Sequence, residues 1–247
     1  MEWYKVAFGD IYPLVYPHRD EAEAARVAAR LLPLIGAARP LLDVACGNGR
    51  YMRPLAAAGV DAYGADLSTY LLADAVANGG LGGRVVCCDM RALPFRDGAF
   101  GVAINMFTSF GYFDDDADNA AALREVARVL RVGGTFVLDF LNAGRVRGGV
   151  AGPTRRTAGD TVVDESRELS ADGRVLTKRV VVRWSGREPV EYVERVRLYD
   201  RDDLGALLAG ASLAERATYG DYDLGPFDDT ASSRVIFVCE KRGVRGA

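Results

Sequence analysis

The residues whose types and spacing carry chemistry begin at Asp43. In Leu41-Leu42-Asp43-Val44-Ala45-Cys46-Gly47-Asn48-Gly49-Arg50, an apolar run ends in an acid and Gly-Asn-Gly then turns the chain sharply toward a helix. Glycine has no Cβ and adopts positive φ freely, so such a turn brings bare backbone close to a ligand. Further on, Val60-Asp61-Ala62-Tyr63-Gly64-Ala65-Asp66 reads as a second strand ending in an acid, placed to accept hydrogen bonds from ribose hydroxyls. A nucleoside-bearing ligand follows from the pair. It need not be a dinucleotide, because Met52 stands where the dinucleotide fingerprint has a third glycine. Asp43 would moreover repel a pyrophosphate, whereas it attracts an ammonium group.

These residues work only if a framework brings them together. Asp20 to Ile35 reads as an amphipathic helix capped by Asp20, Pro40 to Cys46 as a strand, and Arg50 to Ala58 as a helix stopped by Gly59. A strand over 60–65 leads to a helix capped by Ser68 and ended by Gly79-Gly80. Strands over Arg84 to Cys88 and Phe100 to Asn105 follow. A periodic helix from Asp116 to Leu130, ended near Gly133-Gly134, precedes a fifth strand over Thr135 to Leu141. Continuous apolar strands alternating with helices predict a mostly parallel sheet covered on both faces. The pattern then changes. Residues 161–169, 175–184 and 190–199 alternate polar and apolar, which predicts an antiparallel meander. The Gly- and Arg-rich stretch 144–159 reads as a mobile connector into it. A helix from Arg201 to Leu208 and strands around Ala211 to Tyr219 and Ser233 to Lys241 finish the chain. The link between those last strands has no crossover helix, so they pair antiparallel.

Composition sets outer limits. A chain of 247 residues with 49% apolar and 26% charged residues has an ordinary core. A net charge of −3 gives no general attraction to nucleic acid or anionic membrane. No apolar run reaches membrane-spanning length, and Met1 to Lys5 lacks the apolar core of a signal peptide. Cys46, Cys87, Cys88 and Cys239 lack metal-ligand spacing and read as reduced, buried thiols of a cytoplasmic protein.

The arrangement resembles motif I of the class I S-adenosylmethionine-dependent methyltransferases of small-molecule type, in which an acid, a small residue and two glycines alternate with free positions. Asp43, Ala45, Gly47 and Gly49 fit it, with Asn48 between the glycines. Asp66-Leu67-Ser68 resembles the family's second motif, and Asp89-Met90-Arg91 the segment that flanks adenine. Asn105-Met106-Phe107-Thr108-Ser109 occupies the position that lines the methyl-transfer pocket. Leu123 to Gly134 is similar to the family's helix ending in Leu-Arg-Pro-Gly-Gly, with Val132 in place of proline. The resemblance covers 20–142 in motifs and the C-terminal hairpin in topology.

It implies a doubly wound, seven-stranded, mostly parallel α/β sheet with a terminal antiparallel hairpin, plus an antiparallel β insertion after strand five. The implied cofactor is S-adenosylmethionine, with Asp66 and Leu67 at its ribose. Asp89, Met90 and Arg91 then stand at its adenine, and Asn105, Met106 and Phe107 near its methyl. Residues 1–19 would close over the cofactor, with Tyr16 and Arg19 reaching its carboxylate. Residues 20–143 with 200–247 form the binding domain, and 144–199 a lid or a dimerisation element whose edges could build a homodimer. His18, the only histidine, is the general-base candidate. The implied reaction is O- or N-methylation of a small-molecule acceptor, with no nucleic-acid, membrane or metal partner. The alternatives are a non-catalytic cofactor-binding or scaffold protein of this fold and, outside the family, a nicotinamide-dependent dehydrogenase.

Overall fold

A computed structural model describes residue 3 and residues 7–17, 21–36 and 40–243. The strands are β1 (Leu41–Val44), β2 (Ala62–Asp66), β3 (Val85–Cys87), β4 (Phe100–Asn105), β5 (Leu130–Leu141), β6 (Thr154–Ala158), β7 (Thr161–Leu169), β8 (Val175–Arg183), β9 (Val190–Arg197), β10 (Leu213–Tyr219) and β11 (Arg234–Lys241). The helices are α1 (Tyr12–Val15), α2 (Glu21–Ile35), α3 (Met52–Ala57), α4 (Thr69–Ala77), α5 (Asp116–Val129), α6 (Ala143–Gly148) and α7 (Arg201–Gly210).

One sheet has seven strands in the order β10-β11-β5-β4-β1-β2-β3. Every pair is parallel except those made by β11, which runs antiparallel to both β10 and β5. β1 and β4 are buried at every position, as strands covered on both faces must be. On one face Val27 and Leu31 of α2 and Leu55 of α3 pack over Ile104 and Val137. On the other, Leu123 and Val126 of α5 and Leu204 of α7 meet Phe136, Phe140 and Phe237. Parallel order puts the C-terminal ends of β1, β2 and β4 side by side, where crossovers leave a crevice.

The remaining strands form a second, antiparallel sheet in the order β6-β7-β8-β9. Val163, Val180, Val182 and Tyr192 on one of its faces bury against Ala7, Ile11 and Val15 of the N-terminal segment. Pro13 lies in the first turn of α1, where its missing N–H costs nothing.

Three sequence expectations need correction. The stretch 144–159 is not a plain connector, for it holds α6, capped by the Asn142 side chain at the Gly144 amide (3.1 Å), and the edge strand β6. A polar strand of Thr and Arg paired through Gly159 carries no hydrophobic alternation, so the pattern hid it. Helix α5 also stops at Val129, earlier than Gly133-Gly134, because the chain turns extended at Leu130. The Gly pair instead absorbs a register shift where β5 pairs with β4, with Gly133 at φ +76°. Cys46 and Cys239 are buried, but Cys88 is half-buried and Cys87 exposed, since β3 is an edge strand. Among the described residues no helix is long and apolar enough to cross a membrane.

Candidate functional site

The turn after β1 is held from β2. The amides of Ala45 and Cys46 both donate to the Ala65 carbonyl, at 2.7 and 3.1 Å. Asp66 then uses both carboxylate oxygens on backbone: Oδ2 accepts the Gly47 amide and Oδ1 the Ser68 amide, each at 2.7 Å. Gly47 and Gly49 take φ of +56° and +74°, and a Cβ on Gly49 would sit 2.2 Å from Leu81 Cδ1. Ala45 shares that left-handed region at φ +61°, a conformation costing a residue with a Cβ roughly 1–2 kcal/mol. Strain of this kind persists where surrounding bonds over-determine it. Ser68 caps α4 at the Leu71 amide and donates its hydroxyl proton to the Phe8 carbonyl at 2.6 Å, so the N-terminal segment hooks onto the same loop.

Around this loop opens a cleft of about 1140 Å³, its mouth included. Of the residues singled out from sequence, Asp43, Ala45, Gly47, Asn48, Asp66, Leu67, Asp89, Met90, Met106 and Phe107 line it together. Asp43 is 1% exposed, and its Oδ2 has no hydrogen-bond partner among the described residues. Burial, then the charge of Asp66, pushes the Asp43 carboxyl up to about 8, with Arg50 pulling it back. Burial also raises Asp66, against the opposing pull of its backbone hydrogen bonds. A buried acid with an unpartnered oxygen and an elevated pKa is a seat for a cation.

Asp89 differs. Arg91 clasps it through Nη2 at 2.6 Å, reaches Asp118 at 2.7 Å, and lies 4.3 Å over the ring of Phe113. The Arg91 hydrogen bond is the largest cause holding Asp89 below the usual carboxylate range.

Other residues fall elsewhere. Gly49 shapes the turn and Arg91 backs Asp89, but neither is part of the wall. Asn105 corrects an expectation: its side chain is buried (3% exposed) and donates to the Val44 carbonyl at 2.9 Å, stitching β4 to β1. Strand alternation turns it inward, and the chain reaches the cleft only at Met106. Tyr16 is corrected too, for its hydroxyl is committed to Glu194 and Lys178 on the antiparallel sheet. His18, Arg19 and the expected cap Asp20 lie outside the described residues.

Sequence reasoning missed Arg50, the only basic residue among the described residues of the wall. Its guanidinium pairs with Glu23, donates to the Tyr51 hydroxyl at 2.8 Å, and lies 4.4 and 4.8 Å from the ring centroids of Tyr51 and Phe107. Its place directly after the glycine turn was the available signal. Phe8, Tyr12, Tyr112 and Phe113 add aromatic faces to the wall. Phe110, from the same run as Tyr112, packs instead in the core.

A glycine turn gripped by the acid of β2, three carboxylates in one crevice, and a parallel sheet with a reversed last strand give this chain the fold of the class I S-adenosylmethionine-dependent methyltransferases. Residues 42–138 match the family model described as a methyltransferase domain. The chain is 32% identical over 147 residues to the dTDP-3-amino-3,4,6-trideoxy-α-D-glucopyranose N,N-dimethyltransferase of Streptomyces venezuelae. That match spans 55% of this chain and only 58% of the relative's length. A second relative, the dTDP-3-amino-3,6-dideoxy-α-D-glucopyranose N,N-dimethyltransferase of Streptomyces fradiae, is 28% identical over 229 residues, 85% of each chain. Among solved structures, the sugar N-methyltransferase KedS8 of a Streptoalloteichus species superposes with a TM-score of 0.71 at 27% identity, covering 95% of this chain and 94% of its own.

Proposed function

We propose that this protein transfers a methyl group from S-adenosylmethionine to a small-molecule acceptor, and that the acceptor is the amine of a sugar carried on a nucleotide. The observation that carries the donor half is the convergence of Asp43, Asp66 and Asp89 on one cleft, at the ends of adjacent strands. The acceptor half rests on the two curated relatives, whose names give dTDP-amino sugars as substrates.

The donor fits this donor set. Asp43 offers its unpartnered oxygen to the α-ammonium, Arg50 its guanidinium to the carboxylate, Asp66 and Leu67 the ribose seat, and Asp89 with Met90 the adenine side. Arg50 replaces Tyr16 in that role. When bound, S-adenosylmethionine supplies a sulfonium-activated methyl, so the protein need only align nucleophile and methyl and exclude water. Met106, Phe107, Ser109, Tyr12 and Tyr112 shape the space beside that methyl, and aromatic faces suit a sulfonium cation. α1 and the antiparallel sheet close the acceptor side. An ammonium acceptor must shed a proton before attack, and this reading gives that task to His18.

The experiment is a radiolabelled methyl-transfer assay with dTDP-3-amino-sugars, the matching free amino sugars, and simple phenols. Label in the nucleotide-linked amine alone supports the reading. Label only in phenols replaces the acceptor, and no label with any panel member, in a protein that binds the donor, rejects it.

A further inference from the structure

Behind the aromatic wall lies a buried polar cluster that the reaction described above does not use. Asp139 of β5 is wholly buried and holds the chain just past β4 from both ends of its own residue. Its Oδ2 accepts the Phe107 amide at 2.7 Å, and its backbone carbonyl accepts the Thr108 amide at 3.0 Å. Arg234 of β11 donates through Nε to Asp139 Oδ1 and through Nη2 to Thr108 Oγ1, each at 2.7 Å. Tyr222, from the loop joining β10 to β11, donates its hydroxyl to Asp139 Oδ2 at 2.6 Å.

The segment so held is unusual. Phe107 and Thr108 stand consecutively in the left-handed region, at φ +60° and +61°. That region is uncommon for a residue with a Cβ and an outlier for a β-branched one such as threonine. Left alone, these two residues would relax to ordinary φ, and the Phe107 side chain would swing with them. As built, the ring lines the cleft 4.8 Å from the Arg50 guanidinium and 5.4 Å from that of Arg234. The amides of the strained pair and the Thr108 hydroxyl all end on Asp139 or its ion partner.

We propose that Asp139 and Arg234 are positioning residues: they clamp residues 107–108 in the left-handed conformation and so fix the Phe107 ring on the acceptor side of the cleft. The terminal hairpin thereby does more than complete the sheet. Through Arg234 and Tyr222 it sets one wall of the site, while the track of Asp43, Asp66 and Asp89 stands on other strands and does not depend on it. The inference rests on the methyltransferase reading for the word acceptor, but its test does not.

The test places 4-fluorophenylalanine at position 107 and follows its fluorine resonance in the full chain, beside thermal melting and titration with S-adenosylmethionine. Thr108→Val removes the oxygen that Arg234 holds at nearly unchanged shape, Thr108→Ser keeps it, and Asp139→Asn weakens the anchor. The expected result is one sharp resonance in the parent and in Thr108→Ser, and a shifted or exchange-broadened one in Thr108→Val and Asp139→Asn. Donor affinity falls in Thr108→Val and Asp139→Asn but not in Thr108→Ser, because the Phe107 ring borders the Arg50 guanidinium at 4.8 Å. With an accepted amine, Thr108→Val lowers kcat by about 30- to 100-fold, the scale of a small misplacement of a reacting group. An unchanged resonance in folded Thr108→Val overturns the clamp. Equal changes in Thr108→Val and Thr108→Ser, with melting and donor affinity falling together, also overturn it and leave only a structural role. A parent protein that fails to bind S-adenosylmethionine rejects the proposed reaction, yet the resonance still decides the clamp.

Discussion

The Tyr16 hydroxyl donates to Glu194 of β9 while accepting a hydrogen bond from Lys178 of β8 at 2.8 Å, so the end of α1 is fastened to the antiparallel sheet. Lys178 also lies 4.2 Å over the Tyr16 ring and 2.9 Å from Glu165 of β7. On the same segment Tyr12, its ring 5.2 Å from that of Tyr16, faces the cleft. The N-terminal segment that lends Tyr12 to the cleft is therefore anchored on the antiparallel sheet. Burial depresses the Lys178 pKa, and the two glutamates restore its charge.

Glu165→Ala should destabilise the protein by about 3 kcal/mol, because it strips a buried ammonium of its nearest carboxylate. Urea unfolding measures this. A loss below about 1 kcal/mol would mean the pair behaves as an exposed one.

Asp43 dictates a pH dependence. Its folded pKa of about 8 lies above the unfolded value, so the stability it lends is present at low pH and lost as pH rises toward 8. A cation bound against it favours the ionised form, and binding then expels a proton. Affinity for S-adenosylhomocysteine should rise by up to about tenfold per pH unit from about pH 5 to 7, where an α-ammonium stays charged. Asp43→Asn must therefore flatten it in part. An identical slope in the variant would remove Asp43 from the account.

Arg50 is tested by ligand truncation. Arg50→Gln should weaken S-adenosylhomocysteine by about 10- to 100-fold, the scale of one charge-assisted hydrogen bond. Methylthioadenosine, which has no carboxylate, should bind parent and variant alike. Equal weakening of both ligands would point to a distorted cleft and not to a lost carboxylate contact.

Gly49 and Gly80 separate two costs of adding a Cβ. Both have positive φ, but only at Gly49 does the new atom meet Leu81 Cδ1, while Gly80 faces open space. Gly80→Ala should cost about 1 kcal/mol and Gly49→Ala about 1–3 kcal/mol more, from overpacking. Equal losses in thermal melts would place the cost in the backbone alone.

The parallel core was legible because buried parallel strands are continuously apolar and their acids and glycines punctuate them. Asp43, Gly47, Asp66 and Asp89 could be named for that reason. The strand β6 was not legible, since an exposed edge of Thr and Arg has no face to bury. Nor was the inward turn of Asn105, which depends on the pleat at the end of β4. Arg50 and Tyr16 show the same limit from the opposite side. Either could reach a carboxylate by type, and only tertiary packing decides that Arg50 borders the cleft while Tyr16 serves the sheet. The clamp of Asp139, Arg234 and Thr108 joins three distant segments, and no local spacing announces it.

The most direct test of the central claim is calorimetric titration with S-adenosylmethionine of the parent protein and of Asp66→Ala. Asp66 holds the glycine turn through Gly47 and lines the cleft, so the expected result is roughly micromolar binding in the parent and a loss of about 100-fold or more in the variant. Folding of both is checked by melting. No binding by the folded parent, or equal binding by the variant, would contradict it.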